Sequence, residues 1–226
     1  MLEDLGFVVH LVPRVIELAH EPRLDEAMAC FQQALSLDPQ RSKTLNNLGN
    51  VRRDLNQSEA ALDCYAQALA TDGSDATIHL NAALCHLLLG DFKQGWSAFE
   101  WRWKTETYRT AQRDFGVPRW LGDEDLSGRR ILLHAEQGFG DTIQFCRYAQ
   151  QVSDRGATVL LEVQAPLKSL MLTLEGVSQV LAKGEALLEF DCHCPLMSLP
   201  LAFATELATI PARDRYLASD PERLAA

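Results

Sequence analysis

Apolar and polar positions follow two different rhythms along this chain. In the first hundred residues small and apolar positions recur three and four apart: Ala27, Phe31 and Ala34, then Leu45, Leu48 and Gly49, then Ala61, Tyr65 and Ala68. That spacing puts each set on one helix face and predicts paired helices that bury those faces against one another. Beyond Arg129 the rhythm changes. "RRILLHAE", "ATVLLEVQ" and "VSQVLAKG" are short, apolar and partly β-branched, as strands covered on both faces are. Between them "DTIQFCRYAQQVSDRG" and "APLKSLMLTLEG" read as helices, the first running from Asp141 to a stop at Gly156. "FDCHCPLMSLPLAF" adds a short strand from Phe190 and a helix from Leu199 or Pro200. Such alternation predicts a parallel sheet with crossover helices.

The helical half is also periodic on a longer scale. Ala27, Ala61 and Gly95 stand 34 residues apart in succession, and so do Phe31, Tyr65 and Phe99. A small residue four before an aromatic shares its helix face, so each unit repeats one contact. This is the tetratricopeptide repeat (TPR) period, and the middle unit resembles that repeat at Leu45, Leu48, Gly49, Ala61, Tyr65 and Ala68. The unit before it keeps Ala27, Phe31, Ala34 and Pro39, but its first helix, "FVVHLVPRVIELAH", carries Pro13, which breaks or kinks a helix interior. It reads as a divergent cap or the remnant of a longer array. The third unit keeps Ala83, Leu89, Gly90, Gly95 and Phe99 but has Arg102 at a normally small position, so its last helix is expected to end the stack. The resemblance implies a solenoid that offers a concave face to a protein or peptide. Asn46, Asn47, Asn50 and Arg53 are the candidates for that face; an ordinary solvated surface is the competing reading for each.

Between the halves, "KTETYRTAQRDFGVPRWLGDEDLSG" loses helical periodicity and gains Gly116, Pro118, Gly122 and Gly128. The expected organisation is α followed by α/β: TPR repeats over residues 1–105, a linker over 106–128 and a Rossmann-like parallel-sheet lobe over 129–226.

Composition narrows the function classes. The net charge of −10 argues against general binding to nucleic acid or to an anionic membrane. In "WSAFEWRWKTETYR" aromatics alternate with basic residues, but Phe99 and Trp103 lie one helical turn apart, which is packing geometry rather than a strand-stacking platform. No apolar run has the length of a membrane span, and early acids in "MLEDLGFVVHLVPRV" stand where a secretory leader is basic, so a cytoplasmic location is expected. The six cysteines lack a regular spacing and read as reduced thiols. In "DCHCPL" alternation along a strand turns His193 away from Cys192 and Cys194, against a shared metal.

The candidate chemistry lies in "LLHAEQGFGDTIQF", where a strand runs into Gly138, Gly140 and Asp141 at the mouth of a helix. Glycines allow a sharp turn and close approach by a partner, while Asp141 suits either a helix cap or a reactive carboxylate. A nucleophilic set of His134, Cys146 and Asp141 is disfavoured because His134 falls inside the strand and is expected to be buried. "GDFKQGWSAFEWRW", "PRWLGDEDLSGRRILLHAEQGFGDTIQFCRYA" and "FDCHCPLMSLPLAFATELATIPARDRYL" together resemble bacterial proteins in which TPR repeats precede a glycosyltransferase-like region of the GT-B type. The G-x-G-D turn is similar to the first strand-to-helix loop of heptosyltransferase-type enzymes.

That resemblance implies Asp141 as general base towards an acceptor hydroxyl, with Glu136, Gln137, Gly138, Gly140 and Gln144 lining the same mouth. Glu136, Gln137 and Gln144 can equally satisfy local backbone groups. It also implies that the donor nucleotide sugar is held by a second lobe, which this sequence does not enter before "YLASDPERLAA". The expected function is therefore a protein-binding TPR module joined to an acceptor-side lobe that is not catalytic alone and carries no cofactor. The alternative is a fragment of a GT-B enzyme that modifies a protein or cell-surface glycan.

Overall fold

Small residues and aromatics set the spacing of the helices. The computed structural model describes residues 24–212 and 215–218. The chain divides into two units, Met1–Arg109 and Thr110–Ala226. The first contains α1 (Leu24–Leu37), α2 (Ser42–Asp54), α3 (Ser58–Thr71), α4 (Ala76–Leu88) and α5 (Phe92–Phe99), a 3-10 turn Glu100–Lys104 and the short α6 (Glu106–Arg109). "FVVHLVPRVIELAH" lies outside the described residues.

Gly49 of α2 meets the ring of Tyr65 on α3 so closely that a Cβ would stand 2.5 Å from Cε1. The hydroxyl of Tyr65 donates to Asn50 Oδ1 at 2.8 Å, which satisfies a ring otherwise fully buried. Gly95 plays the same part on α5, 2.6 Å from Leu87 Cδ2 by the same measure. Around these contacts Ala27, Phe31, Leu48, Val51 and Cys64 form one core, and Leu45, Ala61, Tyr65, Ala68, Ile78 and Cys85 form the next. The positions that recur at 34 residues are thus interior, whereas Leu89 and Gly90 of the third unit are exposed. Asp75 caps α4 by accepting from the amides of Thr77 and Ile78, and Asp91 caps α5 by accepting from that of Gln94. The last helix stops being α-helical at Phe99. Arg102 follows within the 3-10 turn, 0% exposed, its guanidinium over the rings of Phe99 and Trp103 and bonded to Glu100.

The second unit is built on a parallel sheet of four strands, β1 (Arg130–His134), β2 (Thr158–Val163), β3 (Gln179–Ala182) and β4 (Cys192–Pro195), in the order β3-β2-β1-β4. Register pairs Leu132 with Leu160 and His193, and His134 with Glu162. Side chains alternate across the sheet, so Ile131, Leu133, Val159, Leu161, Cys192 and Cys194 make one apolar face, while His134, Glu162 and His193 share the other.

The helices between strands are shorter than their apolar spacing predicts. The element expected to run unbroken from Asp141 is α7 (Phe139–Phe145), a 3-10 turn Cys146–Tyr148 and α8 (Ala149–Asp154). Apolar positions three apart serve a 3-10 turn as well as an α-helix, so periodicity does not see the change. Likewise "APLKSLMLTLEG" contains only a 3-10 turn Ala165–Leu167 and α9 (Lys168–Met171). The last strand starts at Cys192 rather than Phe190 and leads through a 3-10 turn Leu196–Ser198 into α10 (Leu199–Ala202).

Residues 118–120 run beside β4: His193 donates its amide to Pro118 O at 3.1 Å, and Trp120 donates to His193 O at 2.8 Å. Gly122 then passes against α10 with φ +107°, and a Cβ there would stand 2.2 Å from Ala202 O. Gly184 has a similar φ of +99° but no atom within 4 Å of the same position. Gly122→Ala is therefore expected to destabilise the chain by about 1–3 kcal/mol more than Gly184→Ala, the cost of overpacking beyond the shared backbone strain. Urea unfolding midpoints of the two variants check this.

Candidate functional site

Because β1 lies between β2 and β4, the direction in which strands are added reverses beside it. In open parallel sheets ligands bind outside the carboxyl ends of the strands at such a reversal. The loops that meet there follow β1, from Ala135 to Gly138, and β4, from Leu196.

Glu136 ties these two loops together. Its carboxylate accepts from the amide of Met197 at 3.1 Å, and the residue is only 9% exposed. Expected on sequence as a lining residue, it points inward and fixes the width of the mouth. Gln164, the residue after β2, reaches across from the other side. Its Nε2 donates to Gln137 O at 2.6 Å and lies 3.4 Å from Gly138 O, while its Oε1 accepts from the Thr142 hydroxyl at 2.9 Å. Thr142 Oγ1 is also 3.1 Å from Gly138 O. The G-x-G-D loop is thus held by a polar ring closed through Gln164. Sequence reasoning passed over Gln164; its position directly after β2, level with the loop by register, was the available signal.

Gly138, not Asp141, occupies the cap position of α7. Asp141 is half-buried in the first turn, its Oδ2 folded back to 3.1 Å from where a Gly138 Cβ would stand. A carboxylate here is favoured by the free amides of the helix start. Gln137, Gly138 and Gly140 are exposed around it, as is Gln144 one turn on, whose carbonyl accepts from Arg147 Nε. Phe139, between the two glycines, is 50% exposed.

Other sequence candidates are engaged elsewhere. Cys146 is fully buried, donates to Ile143 O and has its thiol pushed up to about 12 by burial, so it stays protonated at neutral pH. His134 Nε2 lies 3.1 Å from His193 Nδ1 on the polar face of the sheet. His193 turns away from Cys192 and Cys194 as alternation requires, and among the described residues no cluster of His, Cys, Asp and Glu is arranged to hold a metal.

In the helical unit α2 and α4 lie side by side. Asn46, Asn50 and Arg53 follow one another at helical spacing on α2, and Asn81, Leu84 and Leu88 do so on α4. Asn81 Nδ2 donates to Asn46 Oδ1 at 2.9 Å, joining the two stripes. Leu84 and Leu88 are 37% and 68% exposed beside them. Asn50 has its carbonyl committed to Tyr65, and Arg53 bonds the carboxylate of its neighbour Asp54.

Models of the tetratricopeptide repeat match residues 46–96 and 23–41. These stretches of the helical unit are tetratricopeptide repeats. Protein FlbA of Caulobacter vibrioides is 36% identical over 119 residues, 51% of this chain and 20% of that protein, so the match spans about a fifth of its length. Among solved structures, PcrH from Pseudomonas aeruginosa is 27% identical over 42% of this chain and 73% of its own, with a TM-score of 0.41. The Yersinia enterocolitica type III secretion chaperone SycD, solved with a peptide of the translocator YopD, is 18% identical over 46% of this chain and 83% of its own, with a TM-score of 0.43. Among the described residues no helix is long and apolar enough to cross a membrane.

Removing the Gln164 side chain deletes the bonds that hold the carbonyls of Gln137 and Gly138. Gln164→Ala is expected to cost about 1–2 kcal/mol and to speed amide exchange at residues 137–142 by about tenfold, with β1 and β2 unchanged. Hydrogen exchange followed by mass spectrometry checks both parts.

Proposed function

We propose that this chain is a protein-binding module: the TPR unit receives a protein or peptide segment on the face formed by α2 and α4, and the α/β unit is an acceptor-side lobe of the GT-B glycosyltransferase type that is not catalytic alone. The observation that carries the binding role is the joined pair of stripes on α2 and α4, where hydrogen-bonding amides of Asn46 and Asn81 sit beside exposed Leu84 and Leu88. Side-chain amides suit a peptide backbone, and adjacent exposed leucines suit its apolar side chains. Asn46 and Arg53 are the contacts of this reading; Asn50 supports it through Tyr65. The lobe assignment draws on the strand order and on the G-x-G-D loop at the reversal point, with Gln137, Gly138, Gly140 and Gln144 along its mouth.

A second reading is favoured by one observation, the half-buried Asp141 carboxylate beside the exposed glycines. Placed within hydrogen-bond reach of an acceptor hydroxyl, it can act as the general base of a glycosyl transfer to a protein or cell-surface glycan. Such a reaction needs a nucleotide-sugar donor positioned opposite the acceptor, and one sheet provides only one wall for that.

Peptides selected from a random library on the full chain test the first reading. Replacing Asn46 and Arg53 together by Ala is expected to weaken a selected peptide at least about tenfold while the circular dichroism spectrum is unchanged. Equal affinity for both proteins would remove this face. Incubating the same peptide and chain with labelled nucleotide sugars separates the readings: no incorporation is expected, whereas incorporation abolished by Asp141→Asn would establish the second.

A further inference from the structure

The polar face of the sheet is covered by the segment that precedes β1. Arg113 pairs there with Glu162 of β2, a residue 2% exposed whose Oε1 has no hydrogen-bond partner among the described residues. The guanidinium also lies over the Phe115 ring, 4.5 Å from its centroid. Phe115 in turn packs on both imidazoles, 5.1 Å from His134 and 4.7 Å from His193 between ring centroids, and edge-on to Phe190. Three residues on, Pro118 accepts the His193 amide, and Trp120 donates to the His193 carbonyl. One side chain on each of β1, β2 and β4 thus touches this short segment.

We propose that residues 113–119 form an acid-released strap, held on the sheet by Phe115 packed over a His134–His193 pair whose hydrogen bond exists only while the two facing nitrogens share a single proton. A hydrogen bond at 3.1 Å between Nε2 and Nδ1 needs one donor and one bare acceptor. Protonating the acceptor sets two N–H groups against each other beneath Phe115. Of the groups facing the pair, Arg113 and Arg119 on the strap oppose the added charge, Glu162 pairs with Arg113 through one carboxylate oxygen, and Asp114 is the one further carboxylate of the strap. Burial, followed by Arg119 and Arg113, accordingly holds His193 down to about 4, with Asp114 acting in the opposite sense. Hydration of an imidazolium requires the strap to lift.

The ion pair does not prevent this. A buried pair loses in desolvation much of what it gains in attraction, and here one carboxylate oxygen is left without a partner, so the Arg113–Glu162 contact adds little net hold.

The sign follows from linkage. His193 has a folded value below that of a free imidazole, so the lifted form binds more protons and is favoured as pH falls from about 6.5 towards 4. At neutral pH the strap is closed.

Hydrogen exchange of the full chain, corrected for intrinsic rates, tests the strap at pH 7 and pH 4.5. Peptides covering 113–120 and the His193 amide are expected to lose protection roughly 10- to 100-fold between these pH values, while β1 and β2 keep theirs. His193→Gln retains a hydrogen-bonding side chain without the titration and is expected to flatten the response. Phe115→Ala is expected to expose the same segment already at pH 7. The proposal is overturned if protection over 113–120 does not change with pH, if it is lost only together with the strands, if His193→Gln responds as the wild type does, or if Phe115→Ala leaves the segment protected at pH 7.

Discussion

β1 is hydrogen-bonded along both edges, to β2 on one side and β4 on the other, and the distinctive chemistry of the α/β unit hangs from that placement. Register carries the consequence outward. With His134 level with Glu162, Gln164 just past β2 falls beside Glu136 just past β1, and this brings Gln164 within reach of the carbonyls of Gln137 and Gly138. On the other edge, β4 delivers the Met197 amide to Glu136. The glycine loop is therefore braced from both neighbouring strands, and a slip of one residue in either pairing would turn every braced side chain to the opposite face.

Bracing of this kind separates two jobs that the sequence runs together. Glu136, Gln137, Gly138, Gly140, Asp141 and Gln144 are neighbours in the chain and were all expected at one mouth. Glu136 in fact faces inward and holds the loop, as Gln164 and Thr142 do, while the glycines and Gln137 are exposed and the Asp141 carboxylate is half-buried beside them. In the TPR unit the same division falls on Asn50, which supports the Tyr65 ring, against Asn46, which faces Asn81 across the stripe. An isolated polar residue near a candidate site thus says little until its own hydrogen bonds are known.

What could be read in advance depended on whether the constraint was local. Small and aromatic positions at 34-residue spacing report a contact between adjacent helices, and Gly49, Ala61, Tyr65 and Gly95 all lie where that contact requires. Strands were legible from runs of apolar residues, and the turning of His193 away from its flanking thiols from simple alternation. The change from α to 3-10 at Cys146–Tyr148 was not, because both helices accept the same apolar spacing. Gln164 was missed for a different reason: its role depends on how two strands align, which no single segment encodes.

The polar sheet face was hidden by the very rule that found the strands. "ILLH", "LLEV" and "CHCP" each read as apolar with one exception, and each exception taken alone passes for tolerance at a strand end. Register shows that the exceptions share one face, and the segment bearing Arg113 and Phe115 lies on them there. An ionisable group in a strand buried on both faces must be paired, kept neutral or covered by something that can leave. Burial disfavours the charged form of His193, which is hydrogen-bonded to His134, Glu162 is paired with Arg113, and the segment over them is a loop. A sheet built for stability alone would carry aliphatic residues at all three positions, so the cost accepted here is best explained by a cover that is meant to be conditional.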